Sequence, residues 1–388
     1  MTNTVAHIEA DAGEVGMVYL IADELERRGV SDGNISESKL DDFLNHLSKY
    51  PILNGIDGFS ETGYYKNSKK WVSRYVSDVI KKYPNFTFNV FDVEKEKRIN
   101  GLKGDFDLAK NDGEEISTSL KNYKKHIHRI QVSSGTMNSF GCKTFFTSVG
   151  TGFVKSPDGE VWYTGNYEVR DRMFKKWIPS ASVILEGLYK LDKLNLEVKN
   201  EFAYGDKYEF YDVKAFDAAR KRISHEGAII IMNMLKAADS DFLRKRILNI
   251  TGMDGKEELL AISEKEYLCS LGNDKYKEFL KTVNNSELSF EFTTQKRDSS
   301  KYSGIRFSFK DGGKTILHAD VPTTINSNGC WFEMNKPKFS GTKKKIDCDH
   351  VVYLHHRQRR PHKSKQIALS TNVWIVLDKN ECGIINEI

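Results

Sequence analysis

The sequence predicts a mixed α/β protein: a mixed sheet flanked by helices, followed by a C-terminal α+β region. Three observations carry this. Amphipathic helical periodicity dominates the first eighty residues, at 13–29, 36–49 and 70–83. A strand–turn–strand pattern follows over 103–121. Helical stretches return after 170, and alternation of period two returns from 287 onward. A change of character near 195–205 divides the chain into 1–198 and 199–388.

The first helix, 13–29, has Val15, Val18, Leu20, Ile21 and Leu25 on its apolar side, and Gly29 stops it. Glu9, Asp11 and Glu14 cluster at its start. They either favour the helix dipole or send one acid, best Glu14, to a metal. The second helix is built on Leu40, Phe43, Leu44 and Leu47. Gly55, Gly58 and Gly63 mark an irregular stretch. Its Phe59, Tyr64, Tyr65, Lys66, Lys69, Lys70 and Trp71 suit either nucleic-acid stacking or a solvated helix entry. Residues 86–93 alternate as a strand.

The hairpin follows, from Lys103 to Leu108 and from Glu115 to Lys121, joined by a turn with Asp112-Gly113. Residues 130–136 predict a short strand ending in a small-residue loop, and 144–154 and 159–164 further strand and turn. Helices are expected over 170–194 with a break near Pro179, then over 215–237, 239–250 and 255–282. Residues 288–292, 304–309 and 374–377 alternate as strands.

The 388 residues are 39% apolar and 29% charged, as in a globular chain. No apolar run reaches the ~18 residues of a membrane span, and the N-terminus lacks a secretory pattern. Five scattered cysteines form no C-x-x-C pair, which fits a reducing cytoplasm. Cys348, His350, His355, His356 and His362 lack the paired spacing of a zinc site. No P-loop and no G-x-S-x-G occurs.

The net charge of +5 is unevenly spread. One basic stretch holds Lys121, Lys124, Lys125, His126, His128 and Arg129. Another runs over 336–365 and includes Lys343, Lys344, Lys345, Arg357, Arg359, Arg360 and Lys363. Such blocks are either solvated surface or contacts to a phosphate backbone. Arg357-Gln358-Arg359-Arg360 also holds the side chain types that read guanine and adenine edges.

Hydrolysis of a phosphodiester needs a divalent cation, an oriented water and a positive group near the developing charge. Asp105 is a candidate fixed ligand. Alternation places Glu115, Ser117, Ser119 and Lys121 on one face of the second strand. Lys121 then stands ready to polarise the water or to pair with the scissile phosphate. The plain alternative is an acidic hairpin surface with a solvated lysine at its end.

Gly104-Asp105 and Ser119-Leu120-Lys121 resemble the Pro-Asp and (D/E)-x-K elements of the PD-(D/E)xK nuclease superfamily, the fold of many type II restriction enzymes. The resemblance covers roughly residues 1–165, with an acidic helix before the hairpin and Gln131 after it. It implies a restriction-endonuclease-like sheet, Mg2+ as cofactor, double-stranded DNA as substrate and a homodimer that cuts both strands. It also implies Asp105 and Glu14 as metal ligands, Lys121 as catalytic, and Ser119 and Gln131 in support. Ser119 departs from the pattern, because it supplies no carboxylate. Glu14 is the preferred replacement. Asp107 needs strand curvature, and Glu115 lies roughly 20 Å along the strand from Lys121, too far for a ligand. A phage or repair nuclease acting on branched or modified DNA, and a DNA-binding protein that never cleaves, remain open.

Overall fold

The structure is a computed structural model, and it describes residues 5–93, 104–150, 152–201, 213–326, 339–342, 344–346 and 370–378. Helix α1 spans Val5–Arg27, so it starts eight residues before the expected position. Gly13 and Gly16 do not break it. A Cβ on Gly13 would lie 3.3 Å from Tyr64, and one on Gly16 would lie 3.2 Å from the Phe43 ring. The glycines therefore let neighbouring helices pack closely. No acid falls in the first turn. The dipole explanation for Glu9, Asp11 and Glu14 is thereby overturned, since the effect fades beyond that turn. Gly29, at φ +67°, ends the helix region as expected.

Helix α2 spans Ile35–Ser48, α3 Gly55–Ser60 and α4 Gly63–Lys82. The stretch expected to be irregular is thus mostly helical. Thr62 Oγ1 accepts a hydrogen bond from the Tyr65 backbone N–H at 3.3 Å and starts α4 seven residues before residue 70. Phe59 is buried edge-on against Phe43, with ring centroids 5.5 Å apart. The Trp71 Nε1–H donates to the Ser263 carbonyl at 2.6 Å. These rings serve internal packing.

Next come β1 (Phe88–Asp92), β2 (Phe106–Lys110), β3 (Glu115–Asn122) and β4 (Arg129–Thr136). Gly113, at φ +87°, closes the β2–β3 turn, and its N–H donates to the Lys110 carbonyl at 2.9 Å. Helix α5 (Met137–Phe145) stands where no helix was expected. It is followed by β5 (Thr147–Ser148), β6 (Phe153–Lys155) and β7 (Val161–Tyr163). Helices α6 (Tyr167–Trp177) and α7 (Ala181–Glu201) flank Pro179, as the sequence indicates. Then come α8 (Val213–Lys236) and α9 (Ser240–Thr251).

The helix expected over 255–282 is not formed as one element. Instead β8 (Glu258–Ile262) and β9 (Tyr267–Cys269) precede α10 (Asp274–Asn285). Periodicity cannot tell a short apolar run such as 259–262 from a helix segment. Gly255 and Gly272, at φ +77° and +69°, punctuate it. The remainder is β10 (Glu287–Gln295), β11 (Asp298–Asp311), β12 (Lys314–Asn326), β13 (Phe339–Thr342), β14 (Lys344–Ile346) and β15 (Ser370–Asp378).

Two five-stranded sheets organise the described chain. The first has the order β1-β2-β3-β8-β9 and is mixed: β3 and β8 run parallel, the other neighbours antiparallel. The second, β10-β11-β12-β15-β4, is wholly antiparallel. The α/β class with a helix-flanked mixed sheet is therefore the class of this protein. Each sheet takes strands from both sides of residue 198, because β8 joins β3 and β4 joins β15. The chain is not split there into consecutive sheets.

Alternation along β3 fixes the site. Ile116, Thr118 and Leu120 turn toward the core formed with α1 and α4, where Met17, Ile21, Val72 and Val76 are buried. Ser117, Ser119 and Lys121 fall on the opposite face. The α4 helix is locked to the end of β3. Asn67 Nδ2 donates to Asn122 Oδ1 at 3.0 Å and to the Tyr123 carbonyl at 2.6 Å, while Asn122 Nδ2 donates to the Tyr64 carbonyl at 2.9 Å. Among the described residues no helix is long and apolar enough to cross a membrane.

Candidate active site

Asp105 sits one residue before β2, where its backbone N–H donates to the Thr118 carbonyl at 2.7 Å. This bond brings the carboxylate over the next turn of β3. Asp105 Oδ2 accepts the Leu120 backbone N–H at 2.6 Å and is approached at 3.4 Å by both Ser119 Oγ and Lys121 Nζ. Lys121 Nζ also donates to Ser119 Oγ at 2.8 Å and to the Leu120 carbonyl at 3.1 Å. A hydrogen bond to a charged acceptor contributes about 1.5–3 kcal/mol, so the Leu120 amide alone fixes the carboxylate firmly. The structure thus brings together Asp105, Ser119 and Lys121.

Gly104 is part of this geometry. A Cβ there would fall 2.0 Å from Ser117 Oγ. Ser117 Oγ is itself buried, with no hydrogen-bond partner among the described residues. No residue with a side chain, proline included, fits at 104 without displacing Ser117. The packing against Ser117 therefore calls for glycine at 104. Asp107 is 1% exposed and lies directly across from Ser117 in the register. Glu115 is exposed at the far end of β3.

Glu14 lies partly buried on α1, in the interior of the helix rather than its first turn. The same helix reaches the end of β3: Glu9 Oε2 is 3.6 Å from Lys124 Nζ, three residues beyond Lys121. Lys124 also sits 5.9 Å from the Tyr64 ring. Asp11 turns the other way and accepts from His46 Nε2 at 3.1 Å and from Tyr50 Oη at 2.5 Å. The His46 hydrogen bond, chiefly, holds the Asp11 carboxyl below its ordinary value, against the opposing effect of burial. The Asp11 hydroxyl partner Tyr50 is pushed up to about 12 by that same carboxylate. Glu9, one of the three acids named from the sequence, is the one that meets Lys124.

Gln131 is exposed on β4, in the second sheet, where its backbone N–H donates to Tyr123 Oη at 3.1 Å. It does not join the Asp105 hydrogen-bond group. Of the expected DNA contacts, Lys125 is exposed, and Arg129 Nη1 lies 3.9 Å from Asp320 Oδ2. Lys344 and Lys345 belong to β14. Lys343, Arg357, Gln358, Arg359, Arg360 and Lys363 lie outside the described residues.

A divalent cation is tested by the donor set. Among the described residues no group of three or more His, Cys, Asp or Glu could hold a metal ion. This does not suit zinc, which takes three or four such ligands. Magnesium accepts one or two carboxylates and keeps several waters. Asp105 fits that requirement: Oδ2 is anchored, and among the described residues no donor reaches Oδ1.

No protein-family model, no curated protein and no solved structure matches this chain.

Proposed function

We propose that this protein is a Mg2+-dependent endonuclease of the PD-(D/E)xK kind, acting on double-stranded DNA and most simply of the restriction type. One observation carries the reading: a carboxylate fixed by a backbone amide stands 3.4 Å from a lysine ammonium at a strand–turn–strand. Carboxylate, hydroxyl and ammonium on one sheet face are the groups that phosphodiester hydrolysis needs beside a cation.

In this reading Asp105 would hold the cation, with waters completing its shell, and the cation would neutralise charge on the phosphate; Glu14, the second ligand the resemblance implies, belongs to α1 on the other face of the sheet. Asp105 keeps its orientation through the Leu120 N–H. Lys121 Nζ donates a hydrogen bond to the attacking water or to a phosphate oxygen, and so orients the one it bonds. Ser119 Oγ accepts from Lys121 and sets the direction of the ammonium. Lys124, Lys125 and Arg129 continue the positive path from the end of β3 to the start of β4 and contact the DNA backbone. A homodimer would supply one site per strand. The free thiols of Cys142 and Cys269 suit the cytoplasm.

A second reading is a DNA-binding protein without cleavage, since the basic stretch of Lys124, Lys125 and Arg129 can meet a phosphate backbone with no cation. Incubating the protein with plasmid and linear DNA, in Mg2+ or EDTA, and sequencing the ends separates the two. Fixed ends in Mg2+ alone support a restriction-type nuclease. Intact DNA in both, with binding, supports the second reading.

A further inference from the structure

Exposed apolar side chains are unevenly placed. Of the nine large ones exposed among the described residues, seven lie between residues 153 and 196, on β6, β7, α6 and α7. Three of these, Val183, Tyr189 and Leu196, belong to α7 alone and are 48%, 47% and 58% exposed. The inner side of α7 is already used: Ile184, Leu188 and Leu191 are buried in the larger core. Scattered exposed apolar residues are ordinary, but a concentration of them marks a contact surface. Tyrosine is also enriched in interfaces.

The patch continues to either side of α7. Toward α6, the Arg170 guanidinium carbon lies 4.8 Å from the centre of the Tyr189 ring and 4.4 Å from that of Tyr167. Toward α8, a groove of about 670 Å³ has Val183, Gly187, Ile229 and Ile230 in its lining. Gly187 lets the two helices close up beneath it, since a Cβ there would lie 2.4 Å from Met234 Cγ. The outer face of α7 is therefore the ridge of the patch.

The charges on this ridge are ordered. Glu186, Lys190, Lys193 and Glu197 are all exposed. Within the helix, Lys190 Nζ is 2.5 Å from Glu186 Oε1, and Lys193 Nζ is 3.9 Å from Glu197 Oε1. Exposed pairs of this kind are weak, so each charge can serve a further partner.

Glu186 and Lys193 are one heptad apart and share one stripe of the helix. Two copies of α7 can run antiparallel about a two-fold axis that passes between Tyr189 and Lys190. Glu186 of each copy then meets Lys193 of the other. Tyr189 stands level with Lys190 of the other copy, ring beside cation, and Val183 stands level with Leu196. From Val183 to Leu196 the contact runs roughly 20 Å, at ~1.5 Å per residue. A pairing displaced by four residues would set Glu186 against Glu197 and Lys190 against Lys193, which repulsion opposes. The ridge is thus self-complementary, as a two-fold interface requires.

We infer that the outer face of α7 is the surface on which a second copy of this chain docks, antiparallel, with Glu186 of one copy against Lys193 of the other. This gives a surface to the homodimer of the proposed function, and it does not depend on cleavage.

Sedimentation equilibrium of the full chain, without DNA and across the micromolar range, tests it. The proteins are the wild type, E186K, K193E, the charge swap E186K/K193E, and K281E on α10 as a control. Thermal unfolding checks that each is folded. The wild type is expected to dimerise. E186K and K193E each set like charges together at both symmetric contacts, so the dissociation constant should rise by about ten-fold or more. The charge swap, and an equimolar mixture of E186K with K193E, restore opposite charges at both contacts. Each should return to within about three-fold of the wild type, and K281E should match it. A defect inside one helix would not be relieved by mixing.

A monomeric wild type overturns the surface. So do folded single variants that dimerise as the wild type does, and a mixture as weak as its components. Cleavage is read separately. A dimer with the expected behaviour that never cuts DNA upholds the surface and removes the nuclease reading, whereas a monomer that cuts DNA removes the surface alone.

Discussion

Lys121 Nζ stands 3.4 Å from Asp105 Oδ2, across the β2–β3 hairpin and on the sheet face away from the α1–α4 core. The side chains are 24% and 17% exposed, so both are held in place yet open to a ligand. Lys121→Ala removes the only ammonium bonded to Asp105 among the described residues. Mg2+-dependent cleavage should fall by about 10²–10³-fold, the usual loss for a donor acting on developing charge. DNA binding, measured by anisotropy, should change by less than about ten-fold, the effect of about one phosphate contact.

Gly104 answers to packing. Gly104→Ala places a methyl group 2.0 Å from Ser117 Oγ. Overpacking of this kind costs about 1–3 kcal/mol. The variant should unfold at lower denaturant. In the double variant G104A/S117A the clashing hydroxyl is gone, and part of the loss should return. Equal destabilisation in single and double variants would show that Ser117 is not the obstacle.

Ser119 stands where the resemblance to PD-(D/E)xK nucleases leads one to expect a carboxylate. Ser119→Asp adds an acid beside Asp105 and keeps an acceptor for Lys121. The Mg2+ concentration giving half-maximal cleavage should drop by about ten-fold, as one more oxygen ligand joins a site that needs one or two. A titration of cleavage against Mg2+ checks this. An unchanged midpoint would remove Ser119 from the metal's surroundings.

Glu24 ties the two helices that frame the hairpin. Arg27 Nε and Nη2 donate to its two oxygens at 2.7 and 2.6 Å. Arg28 Nε donates to it at 2.7 Å and bridges to Ser73 and Ser77 of α4. The Arg27 hydrogen bonds, foremost, bring its pKa down from 4.5 to about 2, with burial opposing them and Arg28 adding to them. The folded value lies below the unfolded one. The stabilisation is therefore complete above pH about 4.5 and is lost as pH falls through about 2. Glu24→Gln should cost about 1–3 kcal/mol at neutral pH and flatten the acid limb of stability against pH. Denaturant unfolding at a series of pH values reads both effects.

The hairpin was legible because its signals are local: Asp112-Gly113, the alternation along β3, and the glycine before Asp105. The helix over Met137–Phe145 was not, since Gly141 inside it argues against helix. That glycine is required by packing, as a Cβ there would lie 2.6 Å from Leu188 Cδ2. The eight residues before Gly13 were likewise not read as part of α1. The strand β8 was lost to its short apolar run, although it pairs with β3 beside the site. Asp105, Ser119 and Lys121 could be grouped from strand geometry alone. The approach of Glu9 to Lys124, and the lock of Asn67 on Asn122, arise from contacts between segments more than fifty residues apart. No local pattern encodes those.

The central claim is that the Asp105 carboxylate serves DNA cleavage. Asp105→Asn keeps the shape and the hydrogen bond from Leu120 but removes the charge. The most direct measurement is plasmid nicking by purified wild-type and Asp105→Asn protein at saturating Mg2+, with binding followed in parallel. Nicking by the wild type, lost in the variant while binding persists, is the predicted result. Equal nicking by both proteins, or none by the wild type, would contradict it.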